Sequence, residues 1–264
     1  MTVALFAPCF VDQFYPRAAI ASLEVLERLG YAVALPEGAA CCGQPVANAG
    51  MERAGLDAAR RFVRTFADYD HVVMPSGSCA LHVRHHYAAL ARAGEGSAAL
   101  ARVRAATREV CGFLHDVAGL EAVAALRPAF AGRVALHVGC HGLRGLGLAR
   151  PSEIQAPPFD AVRALLGVVD GLTITDLARP DECCGFGGTF AVAEAALSAK
   201  IGRDRLADLF GERTGDAPPD AIVTTDPSCG MQLQGLARRG GNAVPFLHVA
   251  EVLAGAPVGV PALP

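Results

Sequence analysis

Short apolar runs alternate with longer amphipathic stretches along the whole chain. The runs that predict strands lie at residues 2–8, 32–35, 71–75, 133–138, 172–176 and 221–226. The stretches whose apolar spacing predicts helices lie at residues 18–29, 56–66, 158–168 and 191–209. This alternation, made twice in the same order, predicts an α/β fold of two similar lobes, each a mainly parallel sheet flanked by helices.

The repeat divides the chain into two predicted lobes, residues 1–125 and 126–255. Before the division, the alanine-rich stretch 98–120 has a helical pattern throughout. Prolines predict a surface loop at residues 148–158 and a loose tail at residues 256–264. A chain of 264 residues, 52% of them hydrophobic, is long enough to give both lobes a buried core.

Cysteine doublets followed by glycine occur twice, once in each predicted lobe. Each doublet lies between two lone cysteines, so eight of the nine cysteines form two copies of one pattern. The first copy is Cys9, Cys41, Cys42 and Cys79, and the second is Cys140, Cys183, Cys184 and Cys229. Both gaps are longer in the second copy, as expected if strand ends fix the cysteines and insertions fall in loops. The pattern predicts two metal-cluster sites.

The positions of these cysteines favour ligation. The lone cysteines follow predicted strands, at the sheet edge where α/β proteins bind ligands, and helices predicted after Cys79 and Cys229 favour thiolate over thiol. Adjacent cysteines rarely both reach one metal ion, but in a multi-iron cluster two sulfurs can reach different irons. Gly43 and Gly185 permit a tight turn and let main-chain N–H groups approach cluster sulfur.

Three other interpretations of the cysteines stay open. They are apolar packing of buried thiols, structural zinc in one or both lobes, and thiol–disulfide chemistry. Zinc sites and thiol–disulfide enzymes usually use Cys-x-x-Cys, a motif that this sequence lacks. The ninth cysteine, Cys111, lies outside both copies in an apolar helical stretch, and it is predicted to be a core thiol.

Charge and remaining motifs exclude several classes of function. The net charge is −3, Lys200 is the only lysine, and no basic cluster indicates nucleic-acid binding. No apolar stretch is long enough to span a membrane and the start has no basic signal region, so we expect a soluble, cytoplasmic protein. The run from Gly185 to Gly188 does not fit Gly-x-Gly-x-x-Gly because Phe190 takes the place of the last glycine, so bound flavin or NAD is not expected.

Several longer stretches around the cysteines resemble one family. They are residues 8–9, 41–45, 75–79, 83–87, 137–144, 183–190, 226–229 and 248–253. These stretches resemble the cysteine-rich Cys-Cys-Gly (CCG) domain proteins, and most closely the lactate-utilization protein A family of iron–sulfur oxidoreductases. Related domains occur in the cysteine-rich subunit of heterodisulfide reductase and in the glycolate oxidase iron–sulfur subunit.

The resemblance implies an iron–sulfur cluster in each lobe, of the [4Fe-4S] type and held by the eight cysteines, with zinc in one lobe as an alternative. In the cysteine-rich subunit of heterodisulfide reductase each motif ends in Cys-x-x-Cys and holds a non-cubane cluster. Here His82 and Gln232 take the last position of that ending. This departure puts the five-cysteine cluster and its disulfide-reducing chemistry in doubt, and it makes His82 a candidate for the missing ligand as well as for an ordinary hydrogen-bonding group.

Other polar residues near the motifs are candidates for the cluster surroundings. His85, His86 and His141 are candidate hydrogen-bond donors to sulfur or proton carriers, with ordinary histidines whose hydrogen bonds are satisfied as the alternative. Arg144 is a candidate counter-charge for a thiolate cluster, or a plain surface arginine.

The resemblance implies an electron-transfer subunit of a complex that oxidises L-lactate to pyruvate, independent of NAD and inactive without its partners. Those partners are a ferredoxin-type iron–sulfur protein B and a protein C. The alternatives are a subunit of another 2-hydroxy-acid oxidase or of a heterodisulfide-reductase-like complex, and a zinc-braced scaffold without catalysis. No catalytic residue is assigned.

Overall fold

Eight strands form two four-stranded sheets in which all neighbouring strands are parallel, in a computed structural model that describes residues 1–255. The strands of the first sheet are β1 (Val3–Leu5), β2 (Val33–Ala34), β3 (His71–Met74) and β4 (Thr107–Glu109), in the order β2-β1-β3-β4. Those of the second are β5 (Ala129–His137), β6 (Asp170–Ile174), β7 (Ala221–Thr224) and β8 (Phe246–His248), in the order β6-β5-β7-β8. The predicted α/β fold with two similar parallel sheets is therefore confirmed. The predicted tail, 256–264, lies outside the described residues.

Helices follow the strands and cover both faces of each sheet. Those of the first half are α1 (Cys9–Phe14), α2 (Pro16–Arg28), α3 (Gln44–Asn48), α4 (Glu52–Phe66), α5 (Gly77–Leu81), α6 (Ala88–Leu90), α7 (Ala98–Ala106), α8 (Val110–Phe113) and α9 (Leu120–Ala125). Those of the second half are α10 (Ala161–Leu166), α11 (Phe190–Ala193), α12 (Ala195–Leu209), α13 (Pro227–Arg239) and α14 (Val249–Ala254). Wider, π-helical turns lie at His82–His86, Ala91–Glu95, Leu114–Ala118 and His141–Gly145.

The two sheets share a central apolar layer. Side chains alternate along a strand, so Val3 and Leu5 of β1 face one side while Ala4 and Phe6 face the other. The inner side of the first sheet packs on α2 and α8, and that of the second sheet packs on α10 and α14. These four helices pack on one another between the two sheets. The outer side of the first sheet packs on α4 and α7, and that of the second on α12 and α13. One continuous core therefore joins the lobes, while each lobe has an outer layer of its own.

The stretch 98–120 is not one helix, contrary to the alanine-based prediction. Residues Thr107–Glu109 form β4, which pairs with β3 in the register Val72↔Thr107 to Met74↔Glu109. The local helical preference is overridden because these residues complete the edge of the sheet and bury both Thr107 and Glu109. The strand β8, at the corresponding edge of the second sheet, was not predicted either.

Three further predicted elements differ in extent. The helix expected at 158–168 starts only at Ala161, because the Asp160 side chain accepts a hydrogen bond from the Arg163 amide at 2.8 Å and caps the first turn. The helix expected at 191–209 is broken at Glu194, where φ is −119° and ψ is 47°. The loop expected at 148–158 lies on the surface from residue 152 onward, but Leu148 and Pro151 are buried.

Candidate metal centres

The first four cysteines meet at the carboxyl edge of the first sheet. Cys9 starts α1 directly after β1, the doublet precedes α3, and Cys79 lies in α5 after β3. The Sγ atoms of Cys9 and Cys41 are 3.7 Å apart, and the Cys42 thiol contacts those of both Cys41 and Cys79. The four sulfurs therefore form one connected group.

The second four cysteines form the same arrangement at the carboxyl edge of the second sheet. The Cys183 thiol contacts those of Cys140 and Cys184. The Sγ atoms of Cys184 and Cys229 are 3.0 Å apart. The eight cysteines that the sequence pattern singled out thus come together in two groups of four.

The glycine after each doublet shapes the turn that presents the sulfurs. Gly43 and Gly185 have φ of +88° and +83°, and their amides donate hydrogen bonds to Cys41 Sγ and Cys183 Sγ at 3.3 Å each. A Cβ on Gly43 would lie 2.9 Å from Ala58 Cβ, and one on Gly185 would overlap Ser198 O. Both the left-handed backbone and the close packing on α4 or α12 therefore require glycine.

In each doublet the first thiol has a lower proton affinity than the second. Hydrogen bonds from Cys42 and Cys9 hold the pKa of Cys41 well below its usual range, and those from Cys140 and Cys184 do the same for Cys183. The same contacts, together with burial, raise the pKa values of Cys42 and Cys184. Each doublet therefore favours a thiolate on its first cysteine beside a protonated second one, and the positive charge of a bound metal would favour loss of that proton as well.

Burial differs within each group. Cys42, Cys79, Cys184 and Cys229 are buried, Cys9, Cys41 and Cys140 are half-buried, and Cys183 is exposed. Each group therefore has a buried inner side and an outer side that is open to solvent.

The two groups lie on either side of the boundary between the lobes. Phe10, next to Cys9, contacts Phe186, two residues after Cys184, edge to face at a ring-centroid distance of 5.7 Å. Nearby, the Ser78 amide donates a hydrogen bond across the boundary to Asp226 Oδ2 at 2.6 Å. Aromatic and hydrogen-bonded contacts thus link the surroundings of the two groups.

His82 lies beside the first group, whereas His85 and His86 are exposed. His82 is buried and stacks on His86 at a centroid distance of 5.3 Å, and both rings line an open cavity of about 370 Å³. Burial and then the His86 charge lower the pKa of His82 to about 4, while the Cys41 thiolate opposes this shift. His85 is exposed, and the charges that act on its pKa belong to Arg84, Arg104 and His86.

His141 and Arg144 take different places around the second group. His141 Nδ1 lies 3.8 Å from Cys140 Sγ, within reach of a weak hydrogen bond to sulfur. Arg144 is exposed and forms a two-armed ion pair with Glu153, at 2.6 and 3.0 Å. Its guanidinium also donates to the Asp181 carbonyl at 3.3 Å. Arg144 therefore neutralises a surface carboxylate more directly than it does a thiolate.

Gln232, at the position where related motifs carry a further cysteine, is linked to the second doublet through Ser198. Its amide donates to Ser198 Oγ at 3.0 Å, and this hydroxyl donates to the Gly185 carbonyl at 2.7 Å. In the first lobe the Tyr87 hydroxyl has a similar role and donates to the Cys42 carbonyl at 2.8 Å.

His137 was not among the predicted site residues, yet its ring lies beside the second group. It is fully buried at the end of β5, and one of its ring nitrogens lies within 4.8 Å of the sulfurs of Cys184 and Cys229. Its Nε2 atom has no hydrogen-bond partner among residues 1–255. Burial, and then the charge of Arg205, lower the pKa of His137 to about 3. The sequence repeat could have pointed to it. His137 stands three residues before Cys140, and at the matching position of the first copy, three residues before Cys9, the sequence has Phe6.

The donor atoms fit iron–sulfur clusters. Each group offers four thiol sulfurs, a main-chain N–H directed at one of them, and a buried side that protects bound metal. The ninth cysteine, Cys111, is fully buried in the central layer as predicted, and burial raises its pKa.

Within residues 1–255, no helix combines the length and the apolar character that a membrane span requires.

Comparison with known proteins agrees with this arrangement. The family model of the cysteine-rich (CCG) domain matches residues 3–84 and again residues 134–234. The chain is 36% identical to lactate utilization protein A of Geobacillus kaustophilus over 253 residues, which cover 96% of this chain and 98% of that protein. It is 36% identical to lactate utilization protein A of Shouchella clausii and of Bacillus cereus strain B4264, again over 96% of this chain and 98% of each relative.

Proposed function

The chain belongs to the lactate utilization protein A family and carries two copies of the cysteine-rich CCG domain, and from this premise we propose that it is an iron–sulfur electron-transfer subunit of a complex that oxidises L-lactate to pyruvate. The proposal extends to the cofactors, one [4Fe-4S] cluster per lobe. Cys9, Cys41, Cys42 and Cys79 would hold one cluster, and Cys140, Cys183, Cys184 and Cys229 the other.

The observation that carries this proposal is the convergence of eight thiols, far apart in sequence, into two matching groups. A structural role for buried cysteines explains neither the repeated geometry nor the partly open side of each group. Oxidation of lactate to pyruvate releases two electrons and two protons, and iron–sulfur clusters, when bound, take up and release electrons singly. Two such sites in one chain suit a two-electron substrate.

The residues around the thiols support such a role. The Gly43 and Gly185 amides stabilise negative charge on sulfur, and burial of Cys42 and Cys184 keeps water from the inner side. Exposed Cys183 offers a short distance to a docked partner. The Phe10–Phe186 contact keeps the two sites close to each other across the lobe boundary.

The partners we propose are a ferredoxin-type iron–sulfur protein B and a protein C of the same lactate-utilization system, and the substrate-binding subunit is one of the three. Electrons would leave the complex without NAD as an acceptor. The compartment we propose is the cytoplasm, because eight ligand thiols need a reducing environment to stay free of disulfides.

The experiment is anaerobic purification followed by iron, zinc and sulfide analysis, and then EPR of this chain with proteins B and C before and after addition of L-lactate. We expect iron with matching sulfide, and a signal that L-lactate produces only when the partners are present. D-lactate and glycolate serve as substrate controls. Zinc in both lobes would contradict the electron-transfer role. If iron is present but L-lactate does not reduce it in the complete complex, the proposed substrate is wrong.

A further inference from the structure

His137 and Arg205 form a fully buried pair on the outer face of the second sheet. Both side chains are 0% exposed, and Arg205 Nε lies 3.1 Å from His137 Nδ1. Arg205 is fixed from three other sides, by Asp208 Oδ2 at 3.0 Å, the Arg179 carbonyl at 2.8 Å and the Leu136 carbonyl at 3.2 Å. The guanidinium therefore has one orientation, with its Nε–H directed at the imidazole.

This contact determines which ring nitrogen carries the proton. An arginine Nε–H only donates, so His137 Nδ1 must accept. A neutral imidazole that accepts at Nδ1 has its proton on Nε2. The structure thus contains a buried Nε2–H group whose direction is set by Arg205.

That group lies beside the second cysteine group. A Cβ on Gly139 would lie 3.6 Å from Cys229 Sγ and 3.8 Å from His137 Nε2, which places both atoms beside the same glycine. No residue from 1 to 255 accepts a hydrogen bond from Nε2. A buried donor without an acceptor costs about 1–3 kcal/mol of stability. A sulfur acceptor at the second cysteine group would remove that cost.

The same geometry argues against His137 as a metal ligand. A ligand histidine that binds metal through Nε2 keeps its proton on Nδ1 and donates it to a neighbouring acceptor. Here the neighbour of Nδ1 is itself a donor. Ligation through Nε2 would therefore require an imidazole stripped of both protons.

We propose that His137, oriented by Arg205, donates its Nε2–H to sulfur of the second metal centre and raises the reduction potential of that centre. The inference rests on the proposed iron–sulfur function. The donor stabilises the more negative, reduced state, because hydrogen bonds to cluster sulfur favour added negative charge. His137 is a positioning and tuning residue, and no bond to it forms or breaks.

The test is a redox titration of the full-length protein with EPR detection, in the wild type and in His137→Phe and His137→Gln. Phenylalanine stands at the matching position of the first lobe, as Phe6, and removes the donor. Glutamine can accept from Arg205 and still donate. The signal that is lost in Cys184→Ser belongs to the second lobe, and the remaining signal serves as an internal control.

We expect His137→Phe to shift the reduced-to-oxidised ratio of the second centre about tenfold toward the oxidised form, which is 59 mV for a one-electron couple. The first centre should keep its potential, and His137→Gln should retain most of the wild-type value. ENDOR of the wild type, which needs no variant to fold, should show an exchangeable proton coupled to the second centre without a directly bonded histidine nitrogen.

Two results would overturn the inference alone. One is an unchanged potential in His137→Phe with full iron and sulfide, and the other is a directly bonded ¹⁵N-labelled histidine at the second centre that disappears in His137→Phe. Absence of iron–sulfur from the wild type would instead overturn the proposed function and the inference with it.

Discussion

The two lobes build the same thiol arrangement but back it with different side-chain pairs. In the first lobe Phe6 and Phe62 meet edge to face, with ring centroids 5.0 Å apart. In the second lobe His137 and Arg205 stand at the corresponding positions of β5 and α12, 3.1 Å apart. The same backbone arrangement therefore holds an apolar pair in one lobe and a polar pair in the other. In the polar pair, the guanidinium of Arg205 has hydrogen-bond partners, and the Nε2 atom of His137 has none among residues 1–255.

A second difference lies on the helix side of each group. His82, three residues after Cys79, is buried beside the first group, whereas Gln232, three residues after Cys229, bonds to Ser198 behind the second. Each thiol group therefore has one buried imidazole nearby, supplied by a helix in the first lobe and by a strand in the second. Iron–sulfur centres bound at the two groups would therefore have different surroundings despite the same set of cysteines.

The largest effect that separates the lobes is expected at Arg205. Arg205→Met leaves Asp208 buried without its cation and should lower the free energy of unfolding by about 3–5 kcal/mol. Phe62→Met, the matched change in the first lobe, should cost less than about 2 kcal/mol because it keeps an apolar side chain. Urea denaturation under reducing conditions measures both. Equal costs, or no recovery of stability in Arg205→Met with Asp208→Asn, would contradict a charge-based role for Arg205.

Alanine substitutions of the two doublet glycines, Gly43 and Gly185, should lower the free energy of unfolding by amounts that differ less than those at Arg205 and Phe62. Gly185→Ala meets the Ser198 carbonyl and the Gly202 amide, which are backbone atoms, so we expect a loss of about 2–4 kcal/mol. Gly43→Ala meets mainly the Ala58 methyl group and should cost about 1–3 kcal/mol. Gly188→Ala, at φ +66° with open space around it, measures the backbone strain alone. A cost at Gly185 no greater than at Gly188 would show that packing on α12 is not the constraint.

The residues that end β4 and β8 should make opposite contributions to the pH dependence of stability. Burial raises the pKa of Glu109 to about 8, so the native state holds a proton that the unfolded state releases, and stability falls as pH rises from about 4.5 to 8. Burial lowers the pKa of His248 to about 4, so the unfolded state binds the extra proton, and stability is lost as pH falls from about 6.5 to 4.

Glu109→Gln should therefore gain about 1–3 kcal/mol over the wild type at pH 8 and little at pH 5. The gain is measured by urea denaturation at the two pH values. A variant that is less stable than the wild type at pH 8 would mean that Glu109 is ionised in the native protein and that its bonds to the Cys111 and Gly112 amides outweigh burial.

The smallest effect is expected at the lobe boundary. The Tyr15 hydroxyl donates to Gln234 Oε1 at 2.9 Å across the boundary, and Tyr15→Phe should cost about 0.5–1.5 kcal/mol without changing bound iron. Most of the cohesion between the lobes comes from the shared apolar layer, which this change leaves intact. A loss of iron from either lobe in Tyr15→Phe would show that the boundary shapes the sites.

Six of the eight strands and the grouping of the thiols could be predicted because both depend on local sequence patterns. Apolar runs mark the strands, and cysteines at fixed places after those strands converge once the sheets form. The short edge strands β4 and β8 were missed because their pairing partners, and not their own three residues, determine them.

The His137–Arg205 pair could not be read from local pattern, since 68 residues separate its members and α12 must first be placed on β5. The match of Arg205 with Phe62 becomes visible once the helices are known, because each lies ten residues after the first residue of its helix, Ala195 or Glu52. The cluster type and the partner proteins depend on atoms outside this chain, which its own residues do not encode.

The most direct test of the central claim, that each lobe builds its own iron–sulfur centre, is the iron and sulfide content per chain of the wild type, Cys42→Ser and Cys184→Ser. Cys111→Ala, a buried cysteine outside both groups, is the matched control. We expect each serine variant to lose about half of the wild-type iron and sulfide, together with one of two redox signals, and Cys111→Ala to lose neither. Unchanged content in both serine variants, or complete loss in either one with the fold intact, would contradict two independent centres.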